Sequence, residues 1–186
     1  DRWLNRRYHE VTARFNPLYN GQVAYAEALA LAQEAQQDDF TQLIPVDDWT
    51  KVKTGTPGEV KAKRAVEKAA KTIQEHSMVF KGKQANPAVF DAYLLMARAQ
   101  MLMGLDAPAS EALSNVARLS TNPEQQVEAE LERAATYLAP TEAEYGHDPD
   151  RVAEVAWLRA RVALARRRLV GKRVALPLHR LVQREQ

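Results

Sequence analysis

Apolar side chains recur at spacings of three and four along most of the chain, the period of a helix with one buried face. The first such run is Leu4, Tyr8, Val11 and Phe15. Asn16-Pro17 predicts its end, because proline cannot continue the hydrogen-bond ladder and the residue before it is driven out of the α region. Asn20 then caps a second helix over about 22–37, with Tyr25, Leu29 and Ala32 on its inner face. Asp38 and Asp39 close that helix ahead of FTQLIPV, an extended stretch that Pro45 bars from the middle of a sheet.

Later helix starts share one local pattern, a short polar residue followed by proline: Thr56-Pro57, Asn86-Pro87, Asn122-Pro123 and Asp148-Pro149. Each sets a capping side chain before a proline whose missing N–H would have had no partner in the first turn. Thr56 with Glu59, and Asn122 with Gln125, also have capping-box spacing. Ala107-Pro108, behind Asp106, is a fifth start. The implied helices cover 58–76, 87–103, 107–119, 123–138 and 149–170, with a weaker one over 174–184 after Gly171. Strand patterns are almost absent. The fold class is therefore all-α, read as stacked antiparallel helical hairpins in a tetratricopeptide-repeat-like solenoid of about 7–8 helices. The chain divides into N-terminal capping helices and an extended segment (1–57), tetratricopeptide-like hairpins (58–138), and a linker with a basic amphipathic C-terminal helix (139–186), within one continuous domain.

The hairpin of helices 87–103 and 107–119 carries the repeat pattern best. Tyr93 takes the large aromatic position, Ala97 and Ala109 the small positions where two helices touch, Gly104 the turn and Leu113 the large apolar position. Pro123 opens another helix 36 residues after Pro87. Gln100 departs from the pattern, standing where an aromatic is usual.

Composition adds exclusions. With no cysteine, disulfides, thiolate metal sites and cysteine nucleophiles are excluded. The longest apolar runs, such as AYLLMA at 92–97, are far shorter than the roughly 20 residues that span a bilayer. A chain starting at Asp1 reads as a mature or trimmed product. The net charge of +2 hides an asymmetry: from Arg151 onward ten basic residues face only Glu154 and Glu185, so a segment of +8 follows a body of −6.

Candidate chemistry is sparse. His9, His76, His147 and His179 fall in four segments without metal-ligand spacing, and there is no GxSxG, GxGxxG or P-loop. The carboxylate pairs Asp38-Asp39, Asp47-Asp48 and Asp148 with Asp150 flank helix ends and turns, where they have ordinary roles. No catalytic, cofactor or metal residue is assigned, and an enzyme is not expected. The stretch KGK at 81–83 reads as a solvated turn by default, and in a sharper reading Lys81 and Lys83 contact a phosphate or a partner. In the basic segment Val155, Leu158, Val162, Ala165 and Leu169 form an apolar seam flanked by Arg159, Arg161, Arg166, Arg167 and Arg168. Such a helix docks on its own body, or binds an anionic membrane, an acidic protein or nucleic acid. Nucleic acid is the weakest of these, since only Trp157 is interleaved with the arginines.

Four blocks, YHEVTARFNPLYNG at 8–21, DDFTQLIPV at 38–46, IQEHSMVFKGKQ at 73–84 and FDAYLLMARAQ at 90–100, stand in the order and spacing of one family. Over about residues 5 to 119 the chain resembles the tetratricopeptide-repeat lipoproteins of the type IX secretion and gliding-motility apparatus, PorW or SprE. That resemblance implies a periplasmic, non-enzymatic scaffold linking the outer-membrane translocon to periplasmic components. It also implies a lipid anchor on a cysteine upstream of Asp1, at the inner leaflet of the outer membrane. Other envelope proteins are the implied partners, with no small-molecule substrate. Members of the family are much longer, and the arginine-rich end matches nothing in it. The alternative is a peripheral binder of anionic membrane or nucleic acid acting through that end. In the opening block Tyr8, His9 and Tyr19 are candidate partner contacts on a cap that covers the end of the stack.

Overall fold

The computed structural model describes residues 2–36, 51–80 and 83–145, with Trp157 and Leu164. The expected extended stretch at 38–46, the helices over 149–170 and 174–184, and the C-terminal arginines lie outside the described residues. Six α-helices, one π-helical segment and a small hairpin make up the rest: α1 (Arg2–Ala13), the π segment (Arg14–Leu18), α2 (Tyr19–Glu34), α3 (Pro57–His76), β1 (Val79–Phe80), β2 (Lys83–Gln84), α4 (Ala88–Leu102), α5 (Asp106–Leu119) and α6 (Pro123–Tyr145). The described residues are all-α apart from the antiparallel β1–β2 pair, in which Phe80 faces Lys83. From α2 to α6 each helix packs on the next, and α2 also meets α4 as α4 meets α6. No described helix is long and apolar enough to cross a membrane.

Helix starts follow the polar-proline pattern. The Thr56 hydroxyl accepts from the Glu59 amide, while the Glu59 carboxylate accepts from the Gly55 amide at 2.6 Å. Asn86 accepts from the Ala88 amide at 3.1 Å and donates to the His76 carbonyl at 3.0 Å, tying the end of α3 to the start of α4. Asn122 accepts from the Glu124 amide at 2.9 Å. At the end of α4, Gly104 takes φ +75°. The Leu105 and Gly104 amides there return to the Gln100 and Met101 carbonyls, which satisfies the last turn.

Small side chains set the helix spacing. Ala62, Ala65, Ala69, Ala88, Ala92, Ala97, Ala99 and Ala109 are fully buried, so neighbouring backbones approach closely. Phe90, Leu94, Leu113 and Val116 fill the space around Ala97 and Ala109. Polar contacts join α4 to α6, and two of the pairs link residues 34 apart in the chain. Gln125 donates to Asp91 at 2.7 Å, and Arg98 Nε donates to Glu132 at 2.8 Å. Arg98 also pairs with Glu128. Burial disfavours the Arg98 charge, but Glu132 and then Glu128 outweigh it and hold its pKa above the ordinary value.

The N-terminal region departs from the sequence expectation. No corner forms at Asn16-Pro17; the helix widens into one π turn and runs on into α2. Pro17 has no N–H to give, and in an α turn its ring would strike the Ala13 carbonyl. The wider turn relieves that conflict. Ala13, Leu18 and Tyr19 all keep right-handed helical dihedrals. Asn20 is not a helix cap either: its side chain donates to the Asn16 carbonyl at 2.8 Å within the continuous helix. Gly21, which follows the expected cap, is buried inside α2, where an added Cβ would stand 2.9 Å from Leu95 Cδ2 and 3.2 Å from Lys68 Cβ.

Gly21→Val therefore forces α2 away from α3 and α4. It is expected to cost about 1–3 kcal/mol, read as a lower thermal midpoint by circular dichroism. An unchanged midpoint would show that the helices do not meet at Gly21.

Candidate functional site

The π turn decides which face of α1 is buried. Ala13 and Leu18, five residues apart, enter one cluster with Ala69, Ala88, Ala92 and Leu95. Five is the spacing of a π turn, where an α-helix would bring residues four apart together. The run Leu4, Tyr8, Val11 and Phe15, expected on the inner face, is consequently on the outside, continued by Tyr19. Phe15 is 79% exposed and Tyr8 65%. Contiguous apolar surface of this kind marks interaction sites more often than single exposed residues do.

This stripe borders a cleft of about 580 Å³ between the N-terminal helix and the second half of α3. Tyr8, Val11, Phe15 and Pro17 supply its apolar wall, with Thr12, Asn16 and Asn20 between them; Lys68, Lys71, Glu75 and His76 supply the other wall. The polar groups on the apolar wall are turned to its own backbone. Thr12 Oγ1 donates to the Tyr8 carbonyl at 2.7 Å, and Asn20 to Asn16 as above. Along α1, Arg7 and Arg14 both reach Glu10 at 3.5 Å. Lys71 stands 3.6 Å from Glu75. These exposed pairs contribute little to stability.

One end of the cleft is closed by two histidines. His9 Nδ1 lies 3.4 Å from His76 Nδ1, with the rings edge to face at 5.6 Å, and Tyr8 packs edge-on against His9. The pair holds together when one Nδ1 carries a proton and the other a lone pair. Burial, and then the neighbouring His9, push the His76 pKa below its usual value; Glu75 opposes them.

Of the residues singled out in the sequence, Tyr8 and His9 are brought to this cleft, and Tyr19 extends its stripe. Lys83 is exposed on β2. Lys81 lies outside the described residues, as do Arg159, Arg161, Arg166, Arg167 and Arg168. Phe15, Val11, Lys68 and Lys71 were missed as site residues; the signal was an apolar stripe of Leu4, Tyr8, Val11 and Phe15 on a helix whose complementary face carries Ala13. A second cleft of about 460 Å³, between α5 and α6, mixes Arg118 and Arg133 with Glu111 and Glu130, and its lining holds no large apolar side chain. Among the described residues, no three of His, Asp and Glu converge in a metal-binding arrangement. No protein-family model matches the chain, and no curated protein matches it.

A histidine held neutral makes stability depend on pH. The unfolded chain takes up the His76 proton near pH 6.5, whereas the folded chain does so only at lower pH. Stability is therefore full above about pH 6.5 and falls as the pH drops below it, until the folded ring also protonates. Urea midpoints of wild type are expected to decline between pH 7.5 and 5.5, and His76→Gln to flatten that decline. Equal slopes for the two proteins would contradict the assignment.

Proposed function

We propose that the protein is a non-enzymatic periplasmic scaffold of the type IX secretion and gliding machinery, joining envelope proteins through helical-repeat surfaces. The observation that carries this reading is the exposed stripe of Leu4, Tyr8, Val11, Phe15 and Tyr19 on a stack whose interior is built largely of alanine. A chain that buries many small residues and leaves Tyr8, Phe15 and Tyr19 in water has put strong binding groups on one surface. Covering a side chain such as Phe15 is worth about 2 kcal/mol, a gain that folding leaves unused.

The tetratricopeptide-like reading of α4 to α6 belongs to the same proposal. It is supported by the Asp91–Gln125 and Arg98–Glu132 contacts, since 34 residues is the tetratricopeptide period and equivalent positions of stacked repeats lie side by side. The four sequence blocks shared with the secretion lipoproteins support the compartment, the lipid anchor and the class of partner. The first of those blocks, residues 8–21, is also the one that builds the exposed stripe.

The test is site-specific photo-cross-linking in a cell envelope that houses such a secretion system. A photoreactive residue at Phe15 is expected to capture a defined envelope protein, and one at Glu111 on α5 provides a second reporter. Absence of envelope adducts from both positions would overturn the scaffold reading.

A further inference from the structure

We infer that the cleft between α1 and α3 receives an acidic amphipathic helix from a partner protein. The inference rests on the scaffold reading and names the chemistry of what that scaffold holds. From Tyr8 to Asn20 the apolar wall covers about 18 Å at 1.5 Å per residue, the length of three helical turns. Tyr8, Val11 and Phe15 repeat at three and four along it. A guest helix with its own apolar residues at that period matches the wall, as in other helix-in-groove complexes.

The charges fix the sign of the guest. Among the residues that line the cleft, Lys68 and Lys71 outnumber Glu75, and α3 as a whole carries five basic residues against three acidic ones. Lys68 makes no ion pair among the described residues, and Lys71 has only the exposed Glu75 at 3.6 Å. Carboxylates flanking the guest's apolar seam would lie against Lys68 and Lys71. Complementary charge of this kind steers encounter and rejects guests of the wrong sign.

Segments of the same chain are poor occupants. Residues 37–50, although acidic, are joined at both ends to the opposite end of the α2–α3 pair, about 20 Å from Lys71 along α3. Reaching the cleft and returning would use most of their contour and leave little to lie in it. The segment from Arg151 onward is strongly basic, the same sign as the lysines of the cleft. A flat anionic membrane fits a cleft wall less well than a helix does.

Fluorescence anisotropy tests the inference with the full chain and two designed fourteen-residue helical peptides, identical in their leucine seam but flanked by Glu in one and Lys in the other. The Glu peptide is expected to bind at least tenfold more tightly than its Lys twin, and less tightly as salt is raised. Phe15→Ser should weaken the Glu peptide at least tenfold without moving the thermal midpoint, because Phe15 lies in solvent. Lys68→Glu with Lys71→Glu should reverse the preference between the peptides. Equal binding of the two peptides, or Glu-peptide binding that survives Phe15→Ser, overturns the inference. So does phosphatidylglycerol-vesicle binding lost in Phe15→Ser without peptide binding, or concentration-dependent self-association in sedimentation that Phe15→Ser abolishes. Cross-links that persist from Glu111 while the peptides fail would sink the cleft and leave the scaffold reading standing.

Discussion

Pro17 removes a main-chain donor from the middle of a helical run, and the way the chain absorbs that loss decides where every side chain of α1 points. A break would have let α1 fold back and bury Leu4, Tyr8, Val11 and Phe15. The single π turn at Arg14–Leu18 keeps the axis continuous and shifts the register by one residue, so that Ala13 and Leu18 take the buried face. The aromatic stripe, the cleft beside α3 and the His9–His76 contact all descend from that one turn. Asn20 helps hold it, by donating to the Asn16 carbonyl.

The rest of the stack supplies a firm second wall. Alanine at the helix contacts lets α2, α3 and α4 approach until Gly21 has no room for a Cβ, and Asn86 locks α3 to α4 through the His76 carbonyl. At the other end, Arg98 sits between Glu128 and Glu132 and joins α4 to α6. Removing the arginine would strand two carboxylates, so this contact fixes the relative placement of the helices more than it adds to net stability. A cleft edged by such a wall can select a guest by shape and charge without first having to order itself.

Much of the helical plan was legible in the sequence. Thr56, Asn86 and Asn122 announced their helices because a cap before proline is a local device whose chemistry lies within four residues. Ala97, Ala109 and Leu113 were placed in the core by spacing, and the α4–α5 turn by Gly104. The reading failed where a local rule met a tertiary constraint. Asn16-Pro17 predicts a stop from local sterics, yet burying Ala13 and Leu18 together outweighs them. Asn20-Gly21 reads as the start of a helix, whereas Gly21 lies within a continuous one, at the close approach of three helices. Tyr8, His9 and Tyr19 were named from the sequence, but Val11 and Phe15 were missed as site residues for the same reason. A stripe at helical spacing on α1 is ambiguous between core and interface, and only the spacing of five between the small Ala13 and Leu18 favours the second.

The central claim, a helix unbroken from α1 through the π turn into α2, is tested most directly by a distance. Spin labels at the exposed positions Asn5 and Ala30 stand 25 residues apart, so double electron–electron resonance is expected to give one narrow distribution near 35 Å. A chain that turns at Asn16-Pro17 would lay the two helices side by side and bring the labels to about 10–15 Å, the spacing of packed helices plus label reach. That result would return the aromatic stripe to the core and remove the cleft.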